Sequence, residues 1–357
     1  TLGSAAAVAL VLATGLPATP WQLIAYGRQI HSNDTTANVL FVGEGINASV
    51  AVTESSAGGR FFHVSGKTEA SSLFKDMRLQ RMLGHLPALL RDAGWFVTNA
   101  AAPGTMRSGR VIKKGKTHYN FAHDPAQMFD GDDWRKRQPG QPFFAQFQIT
   151  EPHRPFPIPE TYDPATLAGL TLPPNYPDHP LMRRDWYAYQ RSVETVDQRV
   201  GVILAQLAEA GVLDNTLVFF FADHGRPMPW GKQWLTVEGV HVPLLVRGPG
   251  ATAGSVESRL VSLIDLAPTA LAHAALPVPA WMEGRALLGA TFPERSQIFA
   301  ARDRCGDAYD RIRAVITADH VLVQNFFPEL SRFNWSGYKE ASYPGLPLLR
   351  VLHAAGK

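Results

Sequence analysis

An aspartate and a histidine stand side by side at Asp223-His224, with Gly225 after them and the almost wholly apolar run of residues 216–222 before them. A carboxylate and an imidazole at the end of a strand can hold one cation between them, and strand ends are where ligands gather in open α/β sheets. Standing alone, the same pair reads as a cap on the following turn. Gly231-Lys232 comes next in the loop, and Glu238-Gly239-Val240-His241 leads into another apolar run. Lys232 can neutralise a bound oxyanion, although an isolated lysine is more often a solvated surface charge. In Gly115-Lys116-Thr117-His118, residues two apart on an extended segment point the same way, so Lys116 and His118 can both donate to one tetrahedral anion. The neighbouring Arg107, Arg110, Lys113 and Lys114 offer the alternative of a solvated basic loop. Glu151-Pro152-His153 follows a second apolar run, which places His153 as a general acid. Cations, imidazoles and a metal-binding carboxylate in this order suit transfer or hydrolysis of a sulfate or phosphate ester. The cations would stabilise the anion while a histidine protonates the leaving oxygen.

These residues need strands to carry them and helices to cover the strands. The pattern predicts buried strands over residues 143–149, 216–222 and 242–246, the second expected to be covered on both faces. Tyr189, Val193, Val196, Val200, Ile203, Leu204 and Leu207 recur at helical spacing, predicting one long helix over residues 184–211. An earlier amphipathic helix is predicted over residues 76–92, with a kink or restart at Pro87 and its end near Gly94. Asp265 is placed to cap a helix running through Leu271. Residues 313–317 and 320–325 read as a hairpin, and residues 39–65 as a small antiparallel sheet turning at Gly58-Gly59. Strands alternating with helices imply an α/β body.

The 357 residues are 45% hydrophobic and 18% charged with a formal charge of +3, as expected of a chain that folds by burying a core. There is no basic block of the kind that binds nucleic acid. Cys305 is the only cysteine, which excludes an internal disulfide and a thiolate metal cluster. The apolar run of residues 5–16 leaves open membrane association, an export signal or a simple buried helix; a bilayer span needs about 20 residues.

In order along the chain, Leu86-Pro87-Ala88-Leu89-Leu90-Arg91-Asp92-Ala93-Gly94-Trp95, Gly115-Lys116-Thr117-His118, Glu151-Pro152-His153, Ala222-Asp223-His224-Gly225, Gly231-Lys232, Val242-Pro243 and Ile264-Asp265-Leu266-Ala267-Pro268-Thr269 resemble the sulfatase family of the alkaline-phosphatase-like superfamily, nearest its heparan N-sulfatase-like branch. The resemblance implies an α/β sheet with helices on both faces, followed by a small antiparallel C-terminal subdomain. It also implies calcium-dependent hydrolysis of sulfate esters or sulfamates on a small molecule or sugar, in the periplasm or outside the cell. By the same resemblance Asp223 and His224 bind calcium, Lys116, His118 and Lys232 hold the sulfate, and His153 assists departure of the leaving group. The family's first strand with paired aspartates is missing, as is its Cys- or Ser-x-Pro-x-Arg segment, whose first residue becomes formylglycine. Cys305 stands in Asp303-Arg304-Cys305-Gly306, without the required Pro and Arg.

Residues of about 20–90, including Tyr26-Gly27-Arg28-Gln29, Gly43-Glu44-Gly45 and Met77-Arg78-Leu79-Gln80-Arg81, resemble instead the N-terminal β-domain of spermidine synthase-like aminopropyltransferases. The expected organisation is an apolar segment over 1–20, a β-domain fragment over 21–90 and an incomplete sulfatase-like domain over 91–357, fused through a stretch both families could supply. With its covalent step lacking a nucleophile, such a chain is expected to be inactive. Three alternatives stand beside this reading: a phosphatase or phosphonate hydrolase of the same superfamily, an aminopropyltransferase fragment, and a non-catalytic anion-binding module.

Overall fold

The computed structural model describes residues 38–44, 49–54, 60–64, 67–71, 85–107, 110–111, 128–156, 163–289, 294–304, 309–331, 333 and 335–356. The chain divides into two compact units, Thr1–Met77 and Arg78–Lys357.

In the first unit four strands, β1 (Asn38–Glu44), β2 (Ser49–Glu54), β3 (Arg60–Val64) and β4 (Lys67–Ser71), pair in sequence order as an antiparallel meander. The strands are those the β-branched and aromatic residues predict, with β4 in addition. Residues 5–16 and the Gly58-Gly59 turn lie outside the described residues.

The second unit opens with helix α1, residues 85–92 of the longer predicted helix, and continues into β5 (Phe96–Ala101). Pro87 sits within α1, and residues 76–84 of the predicted helix lie outside the described residues. A short hairpin of β6 (Met106–Arg107) and β7 (Arg110–Val111) follows. Strand β8 (Phe143–Gln148) then pairs with β5 in parallel, from Phe96 opposite Phe143 to Ala101 opposite Gln148. After the short helix α2 (Pro164–Ala168) comes α3 (Pro180–Glu209), the long predicted helix. It begins four residues before the periodic apolar pattern because Pro180 takes its first turn and His179 Nδ1 accepts from the Leu181 N–H at 3.2 Å. Strand β9 (Val218–Phe221), helix α4 (Val237–Val240) and β10 (Leu244–Arg247) come next, with β9 and β10 antiparallel. Helix α5 (Leu266–His273) precedes a three-stranded antiparallel sheet of β11 (Ile298–Arg304), β12 (Tyr309–Ile316) and β13 (Val321–Asn325). Helices α6 (Gly337–Ser342) and α7 (Gly345–Ala354) close the unit.

The strand expected to be buried over residues 216–222 is the shorter β9, every residue of which is half-buried; it pairs with β10 along one edge and has no second strand neighbour among the described residues. The sheet is accordingly in two pieces, β5–β8 and β9–β10. Asp265 sits at the start of α5, and its carboxylate caps the entrance as expected, through a capping box with Ser262 over the 3-10 turn Leu263–Asp265 that leads into the helix. Fully buried, it accepts from the Ser262 N–H at 2.8 Å and pairs with both terminal nitrogens of Arg295 at 2.5 Å, tying the segment after α5 back to the helix entrance.

The core has two centres. Leu86 and Leu90 of α1, Val97 of β5 and Leu271 of α5 meet in one, and Phe144 of β8 packs against it. Phe156, Tyr176, Met182, Ala188 and Met228 form the other, at the beginning of α3.

Candidate active site

The segments following β8 and β9 supply the candidate residues. His153 comes five residues after the end of β8, Asp223 and His224 follow β9, and Lys232 stands in the next loop; all four line one cavity of about 2540 Å3.

His224 Nδ1 lies 2.8 Å from the Gly225 carbonyl, and donation along that bond leaves Nε2 turned to Asp223 Oδ1, 3.5 Å away. The Asp223 side chain is 80% exposed, so water competes for it. One oxygen donor and one nitrogen donor thus converge. Among the described residues no further His, Cys, Asp or Glu joins them in a metal-binding group. Calcium takes about six to eight oxygen ligands, so this pair does not by itself fit a calcium ion.

Lys232 is positioned by a loop that tolerates almost no change. A Cβ on Gly225 would lie 1.9 Å from the Glu238 carbonyl oxygen, and one on Gly231 would lie 2.1 Å from that of Arg226. Only glycine permits these approaches. Trp230 and Gln233 adopt left-handed backbone angles, φ of 68° and 79°, on either side of Gly231-Lys232. Such conformations are costly for residues with side chains and persist where the surroundings impose them. Here the Lys232 N–H donates to the Arg226 carbonyl at 2.8 Å, and the Lys339 ammonium donates to the Lys232 carbonyl at 3.1 Å. Lys339 is itself buried, with its ammonium 3.5 Å from the centre of the Trp234 ring.

The His153 segment is held by Arg154. This buried guanidinium forks onto Asp185 of α3, also buried, at 2.8 and 2.6 Å. It donates further to the Pro227 carbonyl at 2.6 Å and the Ser342 carbonyl at 3.0 Å, between the rings of Phe156 and Tyr343. One side chain therefore joins the ends of β8 and β9, the start of α3 and the C-terminal helices. His153 Nδ1 lies 2.6 Å from the Arg154 carbonyl, which directs Nε2 away from that bond. Tyr338 links the two halves of the site: its ring centre is 6.2 Å from that of His153 and 5.5 Å from the Lys232 ammonium. Burial pushes the Tyr176, Tyr338 and Tyr343 phenols up from their ordinary values, keeping them neutral.

The structure thus brings His153, Asp223, His224 and Lys232 to one cavity. Lys116, His118 and Cys305 lie outside the described residues. Arg154, Asp185, Tyr338 and Lys339 escaped the sequence reading. Arginine between His153 and Pro155 was a usable signal, since a cation inside a short segment of fixed shape needs a partner; nothing near Asp185 in the sequence points to it.

Comparison with known proteins bears on what such a site serves. Residues 78–276 match the model of the sulfatase family. An ulvan-active sulfatase of Formosa agariphila is 30% identical over 75% of this chain and 50% of its own length. Human N-sulphoglucosamine sulphohydrolase is 38% identical over 37% of the chain and 28% of its own, and an arylsulfatase of Clostridium perfringens is 28% identical over 44% and 39%. The chain spans at most about half the length of these relatives. With the family model covering more than half of its residues, the chain belongs to the sulfatase family.

Proposed function

We propose that this chain is the sulfate-binding part of a hydrolase acting on sulfate esters or sulfamates of sugars, and that by itself it binds such groups without turning them over. The observation that carries the reading is the meeting of His153, Lys232, Asp223 and His224 in one cavity at the ends of β8 and β9, within the span that matches the family. Lys232 would neutralise the sulfate, with Lys116 and His118 as further donors, and His153 would protonate the departing oxygen or nitrogen. The names of the relatives, an ulvan-active sulfatase and an N-sulphoglucosamine sulphohydrolase, favour a sulfated sugar. Family resemblance favours action in the periplasm or outside the cell. Among the described residues no helix is long and apolar enough to cross a membrane.

Calcium belongs to the reading as the family's metal, and Asp223 and His224 are the residues that would reach it; bound there, it would supply positive charge to the sulfate oxygens. The pair does not fit that ion unaided, so no step is derived through it. The covalent step needs a nucleophile, and the 357 residues contain no Cys- or Ser-x-Pro-x-Arg from which formylglycine could form. Strands β1 to β4 form an antiparallel meander, and strand order alone does not favour aminopropyl transfer.

The test is calorimetric titration with glucosamine N-sulfate and with the unsulfated sugar, beside an assay for released sulfate. Binding of the sulfated sugar alone, weakened about tenfold or more by Lys232→Ala and without sulfate release, is the expected result. Sulfate release that both Lys232→Ala and His153→Ala abolish would mean that another residue serves as nucleophile. Equal affinity for both sugars would overturn the reading.

A further inference from the structure

Lys232 is gripped at both ends by consecutive residues of one helix. From α6, the Lys339 ammonium donates to the Lys232 carbonyl at 3.1 Å, and the Tyr338 ring lies with its centre 5.5 Å from the Lys232 ammonium. The first contact acts on the backbone of Lys232 and the second on the far end of its side chain. Between them runs a flexible four-carbon stem, whose rotation costs entropy to arrest.

Both partners of the Tyr338–Lys232 contact are fixed by their own surroundings. The Tyr338 ring stands edge-on to that of Tyr343 at 5.9 Å, and the Ser342 carbonyl at the end of α6 accepts from Arg154 at 3.0 Å. The loop is supported by a second cation as well. Arg302 of β11, paired with the buried Asp310 of β12, donates to the Gln233 carbonyl at 2.8 Å. Two successive carbonyls, those of Lys232 and Gln233, thus each accept from a cation of the C-terminal elements. The placing of ring against ammonium is therefore set by the fold around them.

The face of an aromatic ring carries negative charge density, and it attracts an ammonium within about 6 Å of its centre. A lysine held in this way keeps its charge and gives up rotamer freedom before any anion arrives, so less is lost on binding. The same ring lies 6.2 Å, centre to centre, from the His153 imidazole at a tilt of 38°. One side chain adjoins both the cation that would meet an anion and the histidine that would protonate the leaving group.

We propose that Tyr338 is a positioning residue for the anion site: the face of its ring holds the Lys232 ammonium beside His153 and so sets where a bound oxyanion sits. That the anion is a sulfate rests on the proposed function, whereas the hold on Lys232 does not.

The test keeps the shape of the ring and changes only its charge. Tyr338→Phe retains the negative face, and Tyr338→pentafluorophenylalanine removes it, so loss of folding does not enter the comparison. Acetylation of Lys232 in the full chain by N-hydroxysuccinimide acetate, followed by mass spectrometry, reads the ammonium with no sugar present. The fluorinated ring should raise the rate at Lys232 about threefold, relative to the other lysines, and Phe should leave it unchanged. Calorimetric titration with glucosamine N-sulfate reads the consequence. Affinity should fall about threefold with the fluorinated ring and not with Phe, and in a Lys232→Met background the two rings should be equivalent. Equal labelling of the two ring variants would overturn the proposal. So would equal affinities where the sugar binds, or a loss that persists in Lys232→Met, since the ring would then act elsewhere. A labelling difference in a chain that binds no sulfated sugar would support the hold on Lys232 and sink the sulfate reading.

Discussion

Arg154 and Lys339 fasten the loops of the candidate site, and neither lines its cavity. Arg154 is 5% exposed and makes a two-pronged ion pair with Asp185, so truncating it leaves a buried carboxylate with no counter-charge. Arg154→Ala should cost about 3–5 kcal/mol, measurable as a shift in the urea midpoint. Arg154→Lys should recover only part, since a point charge cannot fork onto the carboxylate. Gly225→Ala places a methyl 1.9 Å from the Glu238 carbonyl oxygen and should cost about 1–3 kcal/mol as the loop is forced apart. Loss of sulfated-sugar affinity should accompany it. Asp223, His224, Lys232 and His153, which line one cavity, could be singled out by their types and spacing. Their anchors were not, because the partners of Arg154 lie 31 residues away at Asp185 and 73 at Pro227 in the chain, a distance that local pattern does not reach.

Among the elements, α3 was readable because its apolar residues recur over many turns, and only its beginning was misplaced, by a proline and a capping histidine that the periodic pattern does not count. The strands were readable as apolar runs, and β8 and β9 stop short of their predicted ends at Ile149 and Ala222. Their pairing was not. An apolar run such as Val218–Phe221 reads as covered on both faces whether or not a neighbour is present, and β9 is half-buried. Tyr176 and Tyr343, near the start of α3, have phenols pushed up by burial. A folded-state value above the unfolded one contributes stability that is whole below the unfolded value, about 10, and is lost as pH rises through the folded one. Thermal midpoints should therefore be flat through neutral pH and fall above about pH 10, with tyrosinate absorbance appearing together with unfolding rather than before it.

For the molecule as a whole, the α/β character and the C-terminal antiparallel sheet follow from the order of runs along the sequence, and the family follows from the match over residues 78–276. The division into the pairs β5–β8 and β9–β10 does not, since apolar runs do not say which strands pair. A metal prediction belongs at this scale too. With one carboxylate and one imidazole converging, calcium should bind the chain more weakly than about 1 mM, the soft end of protein calcium sites. Calorimetric titration checks this, and submillimolar binding would show that residues outside the described set complete the coordination.

The Lys339 ammonium reaches the Lys232 carbonyl from α6, and Arg154 reaches the Ser342 carbonyl at the end of the same helix. Both locks on the candidate site therefore come from far downstream, Lys339 107 residues after Lys232 and Ser342 188 residues after Arg154. Synthesis proceeds from the N-terminus at about 5–20 residues per second, so β8, α3 and β9 are all made well before α6 can fasten the loops at their ends. A nascent chain halted before Ser336 would hold His153, Asp223, His224 and Lys232 and neither of these two bonds.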